Sequence, residues 1–323
     1  ALQRAARQRN NLIPPTTMPK IAPGKSVRPG GMKPDVIHEF PVTGPTRLLD
    51  HLIASLPDRK RTAIKQFLAH NQVAVNDIPQ RQFDFELQPG DSVKVNFTRE
   101  FQVFRNRRMQ IVYEDDDIIV VNKGYGLLSM GNEKKSDGTA YSLLKSYVKR
   151  VDPRNKIFIV HRLDRDTSGL MIFAKTMDAK LKMQHNWNNM VLSRTYVAVV
   201  EGVPEQEQGE VRSYLAENSQ FEVYSTDDPS QGQLAVTHYK MLQTSGHFSL
   251  MELNLATGRK NQIRVHMSDL GNPISGDRKY GASSSPLHRV ALHAQTLRFV
   301  HPVTRKVMDF SCPVPAGFLK ITR

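Results

Sequence analysis

Apolar positions along the chain recur with two different periods, and the change of period marks its parts. Leu48, Leu49, Leu52, Ile53 and Leu56, then Ile64, Phe67 and Leu68, fall at the three- and four-residue spacing of amphipathic helices, with the basic run Arg59-Lys60-Arg61 between them. Val73, Val75 and Ile78 then alternate around Asn76-Asp77, and Pro89-Gly90-Asp91 introduces a second alternation at Val93, Val95 and Phe97. This stretch predicts two short helices followed by short strands. Beyond a charged linker at 99–108, a long strand-rich region opens with Ile111-Val112-Tyr113, an acidic turn at Glu114 to Asp117, and the run Ile118 to Asn122. Further strands are predicted over 157–160, 170–174, 196–200, 234–242 and 248–255, and helices over 140–148, 177–189 and 260–270. The order lacks regular strand–helix–strand alternation, so it predicts an α+β fold with a mixed, mainly antiparallel sheet rather than a doubly wound one. The expected organisation is a basic arm at 1–40, a small N-terminal α/β domain at 46–98, and a large domain at 108–323.

Charge adds a partner class. Lys and Arg number 45 against 31 Asp and Glu, a net charge of +14 over 323 residues, which points toward a polyanion. From Ala1 to Pro34 there are seven cations, Arg4, Arg7, Arg9, Lys20, Lys25, Arg28 and Lys33, and no acidic residue. That arm reads as a sliding contact to RNA phosphates, a solvated leader or an organelle-targeting remnant. Lys175, Lys180 and Lys182 either extend a basic track or serve solubility. Met177, Met183, Met190 and Trp187 read as core filling. The single cysteine, Cys312, excludes an internal disulfide, a paired-cysteine redox motif and a cysteine-based zinc site, and suits a reducing compartment. No apolar run approaches the ~20 residues that span a bilayer, so a soluble protein is expected.

Candidate chemistry concentrates in His161-Arg162-Leu163-Asp164-Arg165-Asp166-Thr167-Ser168-Gly169, set between two apolar strands. Polar side chains there are costly to bury. The segment is either a site or a turn in which Asp164 or Asp166 caps neighbouring amides. A kinase-type catalytic loop is excluded, because Leu163 splits the His-Arg-Asp triplet and no glycine-rich phosphate loop precedes it.

This loop resembles the signature of the RluA-type RNA pseudouridine synthases. Further motifs follow in order: Tyr113-Glu114-Asp115-Asp116 through Asn122-Lys123 and Gly126-Leu127; Arg194-Thr195-Tyr196; Thr257-Gly258-Arg259 through Gln262-Ile263-Arg264-Val265-His266, with Gly276-Asp277 and Tyr280; and Leu292-His293-Ala294. Gly124 stands where the family has proline and Asn261 where it has histidine. The 46–98 stretch resembles the small S4-like RNA-binding domain, except that Asn71 replaces a glycine in the helix-to-strand turn. That pairing of domains is similar to the RluC and RluD subgroup.

The resemblance implies the pseudouridine synthase fold and an isomerase that breaks the bond between uracil N1 and the ribose, turns the base, and rejoins it through C5. No metal and no cofactor are implied. It assigns Asp164 as the ionised carboxylate at the anomeric carbon, acting as nucleophile, as electrostatic stabiliser or on a ribose proton. Arg264 is the cation that keeps it charged, and Tyr196 stacks on the extruded uracil. Arg162 fills the gap left by the flipped base. His161 orders the loop at the RNA-binding face, Lys123 and Arg259 meet phosphate or loop groups, and Arg59, Arg61 and Lys65 meet the RNA backbone. The expected partner is structured RNA, foremost large-subunit ribosomal RNA, bound by a monomer that needs no membrane and resides in a bacterial-type cytoplasm. The alternatives are a tRNA or organellar rRNA substrate with a mitochondrial location, or a catalytically silent RNA-binding or ribosome-assembly factor.

Overall fold

A computed structural model describes residues 36–323 apart from 77, 102 and 132–136. Most of the expected basic arm lies outside the described residues. Its final part, however, is strand β1 (Ile37–Pro41). The small domain continues with β2 (Thr46–Arg47), α1 (Leu48–Ser55), α2 (Arg61–Ala69), β3 (Val73–Val75), β4 (Ile78–Pro79), β5 (Glu86–Leu87) and β6 (Ser92–Asn96). The large domain comprises β7 (Met109–Glu114), β8 (Ile118–Lys123), α3 (Ala140–Val151), β9 (Phe158–Ile159), β10 (Ser168–Ala174), α4 (Met177–His185), α5 (Trp187–Met190) and β11 (Val191–Glu201). It ends with β12 (Gln208–Glu217), β13 (Val223–Thr226), β14 (Gln233–Thr244), β15 (Phe248–Leu255), α6 (Gln262–Asp269), β16 (Leu292–Val300), β17 (Val307–Ser311) and α7 (Ala316–Ile321).

In the small domain β1, β6, β3 and β4 form one sheet in that order, and helix residues Leu48, Leu52, Ile64 and Leu68 pack with Val73, Val93 and Val95 into a core of their own. The turn after α2 explains its unusual residue. Asn71 has φ +53, a left-handed conformation that glycine adopts freely and asparagine tolerates better than other side chains.

In the large domain the strands run β13-β12-β14-β15-β11-β16-β10-β8-β7, with β17 beside β16 and β9 beside β10. Among the described residues one pairing is parallel: β10 meets β16 through Ser168 opposite His293 and Gly169 opposite Ala294. The sheet is therefore mixed and mainly antiparallel, as expected. One core cluster holds Ile111, Met171, Phe173, Val197 and Phe318, and another holds Ile118, Ile172, Leu297 and Phe299. The alternation of β8 and β10 sends successive residues to the two clusters. Among the described residues, no helix is long and apolar enough to cross a membrane.

Two sequence expectations change. The helix expected over 177–189 is interrupted at Asn186, which caps both α4 and α5. The helix expected from 260 starts at Gln262, because Asn261 has φ +53. Within α6, Ile263, Val265, His266 and Met267 are buried, and Leu270 just beyond it is exposed.

Lys175 is not part of a basic track. Its Nζ lies 2.8 Å from Glu114 Oε1 and donates to Asp115 O, while Tyr147 Oη donates to Glu114 Oε2 at 2.9 Å. Glu114 is fully buried, and that burial raises its pKa despite the opposing ammonium. Lys175→Met strands a buried carboxylate and is expected to lower unfolding free energy by about 3 kcal/mol. Adding Glu114→Gln should recover most of the loss in urea unfolding. Independent, additive losses would rule out the pairing.

Candidate active site

The parallel contact between β10 and β16 aligns residues from four strands. Lys123 on β8 faces Gly169 on β10, Gly169 faces Ala294 on β16, and Ala294 faces Tyr196 on β11. The 161–167 loop feeds directly into this row. Gly169 has φ +116, and a Cβ there would lie 2.1 Å from Ala294 O, so the approach demands glycine.

Three anchors hold the loop. Leu163 N donates to Ser129 Oγ at 3.2 Å, and that hydroxyl donates to Leu163 O at 2.5 Å. His161 Nε2 accepts from Ile172 N at 3.0 Å, which fixes the imidazole as neutral; burial pushes its pKa down to about 3. The third anchor is Lys123, whose Nζ donates to Leu127 O at 2.8 Å, Gly124 O at 3.1 Å and Arg165 O at 3.2 Å. Lys123 is completely buried. All three ammonium protons are committed to backbone carbonyls, so of the two contacts expected of Lys123, phosphate or loop, the structure shows the loop contact, a clamp on the Asp164 loop. Gly124 has its own reason: its N–H donates to Arg108 O at 2.7 Å, a bond proline cannot make.

Ser168 Oγ accepts from Arg289 Nη2 at 2.8 Å and lies 2.8 Å from His293 Nδ1; His293 Nε2 in turn lies 3.1 Å from Cys312 Sγ. Burial depresses His293 to about 4. With the ring neutral and the guanidinium donating to Ser168, the serine proton points to Nδ1 and the Nε2–H to sulfur. This network backs the loop and lies outside the cleft.

The cleft has a volume of about 530 Å³ and is lined by Asp164, Tyr196 and Arg264 together with His161, Arg162 and Arg259. Structure thus brings together six of the candidate site residues. Arg59, Arg61 and Lys65 are exposed and belong to the small domain, not the cleft wall. Arg162 and Arg259 are exposed, Arg259 with its Nε donating to Leu234 O at 3.0 Å.

Asp164 keeps 37% of its side-chain surface open. Burial of the remainder raises its pKa, while Arg264, Arg162 and Lys123 pull it back down. Arg264 Nη1 stands 3.8 Å from Asp164 Oδ2, beyond a direct hydrogen bond. The arginine's close partner is Asp277, reached by Nε at 2.6 Å and Nη2 at 2.7 Å in a bidentate fork. Its Nη1 also donates to Asn261 Oδ1 at 3.2 Å, and its guanidinium lies 4.8 Å from the centre of the Tyr280 ring. Asn261 Nδ2 donates to Tyr280 Oη at 2.9 Å, so the residue standing in for the family histidine ties ring and cation together. Tyr196 is buried, which raises its phenol pKa, and the Asp164 charge raises it further.

Sequence reasoning missed the supporting residues. Asp277 lay within a quoted motif without a role. Trp187 packs partly against the core as expected, but it also lines the cleft, 4.9 Å from the His161 ring and 5.5 Å from the Arg194 guanidinium. Among the described residues one group, Asp115, Asp117 and His301, has metal-ligand types within 4.8 Å. Its donors already serve each other: Asp115 accepts from Tyr113, His301 and two backbone amides.

A carboxylate beside a fixed guanidinium and a buried tyrosine, in a cleft lined also by exposed arginines, suits an enzyme acting on an anionic substrate. A family model described as RNA pseudouridylate synthase matches residues 117–269. Ribosomal large subunit pseudouridine synthase D of Pasteurella multocida is 32% identical over 84% of this chain and 89% of that protein. The uncharacterized RNA pseudouridine synthase YhcT of Bacillus subtilis is 32% identical over 81% of this chain and 88% of that protein. The solved structure of human RNA pseudouridylate synthase domain containing 4 matches with a TM-score of 0.54 at 25% identity, covering 65% of this chain and 90% of that one. The chain belongs to the RNA pseudouridine synthase family, and it isomerises uridine to pseudouridine in RNA.

Burial holds Lys123 at about 8 against an ordinary 10.5. Between those values the unfolded chain keeps a proton the folded chain has released, so the Lys123 contribution to stability grows with pH. Urea unfolding of wild type and Lys123→Gln from pH 8 to 10.5 should show their difference shifting in favour of wild type. A difference constant across that window would reject the burial.

Proposed function

We propose that the chain modifies uridines in large-subunit ribosomal RNA, with Asp164 as the carboxylate that attacks the anomeric carbon. The observation that carries the assignment is that Asp164 is the only carboxylate among the described residues lining the cleft. In this reading Asp164 displaces N1 of uracil from the ribose, the base turns, and C5 takes the place of the carboxylate as the C5 proton leaves and N1 gains one. Only the ionised form is competent as a nucleophile. Arg264, itself locked by Asp277, supplies the fixed charge that favours that form. Tyr196 offers a ring at the cleft wall for the extruded base, and Arg162 is placed to fill the vacated stack. Names of the relatives support the ribosomal substrate.

The small domain, with its two helices on a four-stranded sheet and Arg59, Arg61 and Lys65 exposed, serves in this proposal as an S4-like RNA-binding module. Its contacts are to phosphate and would carry a salt-dependent share of affinity.

The test is site-resolved pseudouridine mapping of unmodified large-subunit transcripts. Asp164→Asn should lose turnover by at least about 10³-fold while retaining RNA affinity. The same variant should melt higher than wild type at neutral pH. The pKa of Asp164 in the folded chain lies above the ordinary 3.8, so its charged form weakens the fold once pH exceeds both values, and asparagine is free of that penalty. Full turnover by Asp164→Asn would overturn the proposal.

Arg264 can be tested through the pH profile. Rates should fall as pH drops through the Asp164 pKa, and Arg264→Met, which removes the main influence holding that pKa down, should move the acid limb upward. Arg264→Lys keeps a charge opposite Asp164 and should lie between wild type and Arg264→Met. Identical profiles for the lysine and methionine variants would reject the electrostatic role.

A further inference from the structure

Phe221 is 72% exposed, the largest exposure among the large apolar side chains described. It sits at the tip of the β12–β13 turn with φ +61, a conformation costly for a bulky residue. The turn is not loose. Asn218 N donates to Glu222 O at 2.9 Å, Phe221 N to Asn218 O at 3.0 Å, and Asn218 Oδ1 accepts from Gln220 N at 3.0 Å and Glu222 N at 2.9 Å. A rigid turn therefore presents an apolar ring to solvent in a strained conformation, and strain of this kind gathers at functional positions.

Its neighbours connect it to the cleft. Lys260, which lines the cleft, places Nζ 5.8 Å from the Phe221 ring centre. Lys279 Nζ donates to Phe221 O at 3.5 Å and lies 5.9 Å from the centre of the Tyr280 ring, the same ring that carries the Arg264 guanidinium. Two cations therefore flank the tip: Lys260 faces the Phe221 ring, and Lys279 reaches the Phe221 carbonyl while facing the Tyr280 ring. Two carboxylates share the tip: Glu217 is ion-paired to Lys260, and Glu222 is 3.5 Å from Asn218 Nδ2. The remaining tip residues, Asn218, Ser219 and Gln220, are polar and exposed, so the ring is the one apolar side chain at the tip itself. An isolated aromatic face flanked by ammonium groups matches one ligand chemistry well, an unpaired base on an anionic backbone.

We propose that Phe221 is a stacking ledge for a substrate nucleotide outside the flipped uridine, with Lys260 and Lys279 on the adjoining phosphates. The proposal rests on the RNA-modifying function above and extends it to how the strand is held beyond the reacting base. It makes Phe221 a binding residue with no part in the chemical step.

The probe is the large-subunit transcript in which the wild-type protein forms pseudouridine. Phe221→Asn removes the ring and suits the left-handed backbone, so its folding is protected; Phe221→Trp keeps an aromatic face. Affinity should fall about tenfold to a hundredfold in Phe221→Asn and stay within about threefold of wild type in Phe221→Trp, from the range of base–aromatic stacking. The single-turnover rate at saturating RNA should be unchanged in both. Unchanged affinity in Phe221→Asn would leave the ring to some other partner and overturn the proposal. Equal losses in both variants would also overturn it. Pseudouridine formation by wild type tests the function separately from affinity, so either reading can fail alone.

Discussion

Where β10 runs beside β16, two strands far apart in sequence come into parallel contact for two residues, and no Cβ fits between them at Gly169. That approach joins the two halves of the long sheet. It also decides where every group in the cleft can be. Shifting the contact by one residue would turn the side chains of β10 to the opposite face and exchange its two core clusters. The same shift would move the Asp164 loop out of line with Tyr196. Behind the junction, Arg289, Ser168, His293 and Cys312 use up one another's polar capacity, so the contact is fixed by hydrogen bonding as well as by close packing.

The cleft holds two opposed demands on one carboxylate. Partial burial favours the protonated acid, whereas the attack on the anomeric carbon proposed for it needs the anion. The balance is supplied by a guanidinium that three hydrogen bonds already hold in place before any substrate arrives. Because Asp277, Asn261 and Tyr280 hold Arg264 from three sides, it cannot swing to form a short bond with Asp164 and thereby quench its reactivity. The 3.8 Å separation keeps a cation opposite Asp164 and leaves the carboxylate free to approach another atom.

Much of this was legible in the chain. The loop around Asp164 stood out because charges interrupt two apolar strands, and spaced motifs carried Tyr196 and Arg264 to the same cleft. The direction of a long side chain was not legible. Lys123 and Lys175 look like surface cations in sequence, yet both are inward, because their partners come from distant segments: Arg165 O for one, Glu114 for the other. The pairing of Arg264 with Asp277 is of the same kind. Strands β12, β13 and β17 escaped prediction because they are largely exposed and their apolar alternation is weak, as in Gln208–Glu217. β16 was read only as a short motif, although its neighbours bury it well.

The Lys123 clamp can also be viewed as an ion site that the protein fills for itself. Three carbonyl oxygens converging at 2.8–3.2 Å would suit a bound monovalent cation, and here a tethered ammonium takes that place. A free ion would exchange with the medium, and occupancy would follow its concentration. A covalently attached one has no such dependence. Phosphate contacts of the kind proposed for the exposed arginines weaken as salt displaces them, whereas the Lys123 clamp on the loop that carries Asp164 has no ion to exchange. Ionic conditions therefore act on how often the substrate is bound and leave the Lys123 clamp on the Asp164 loop in place.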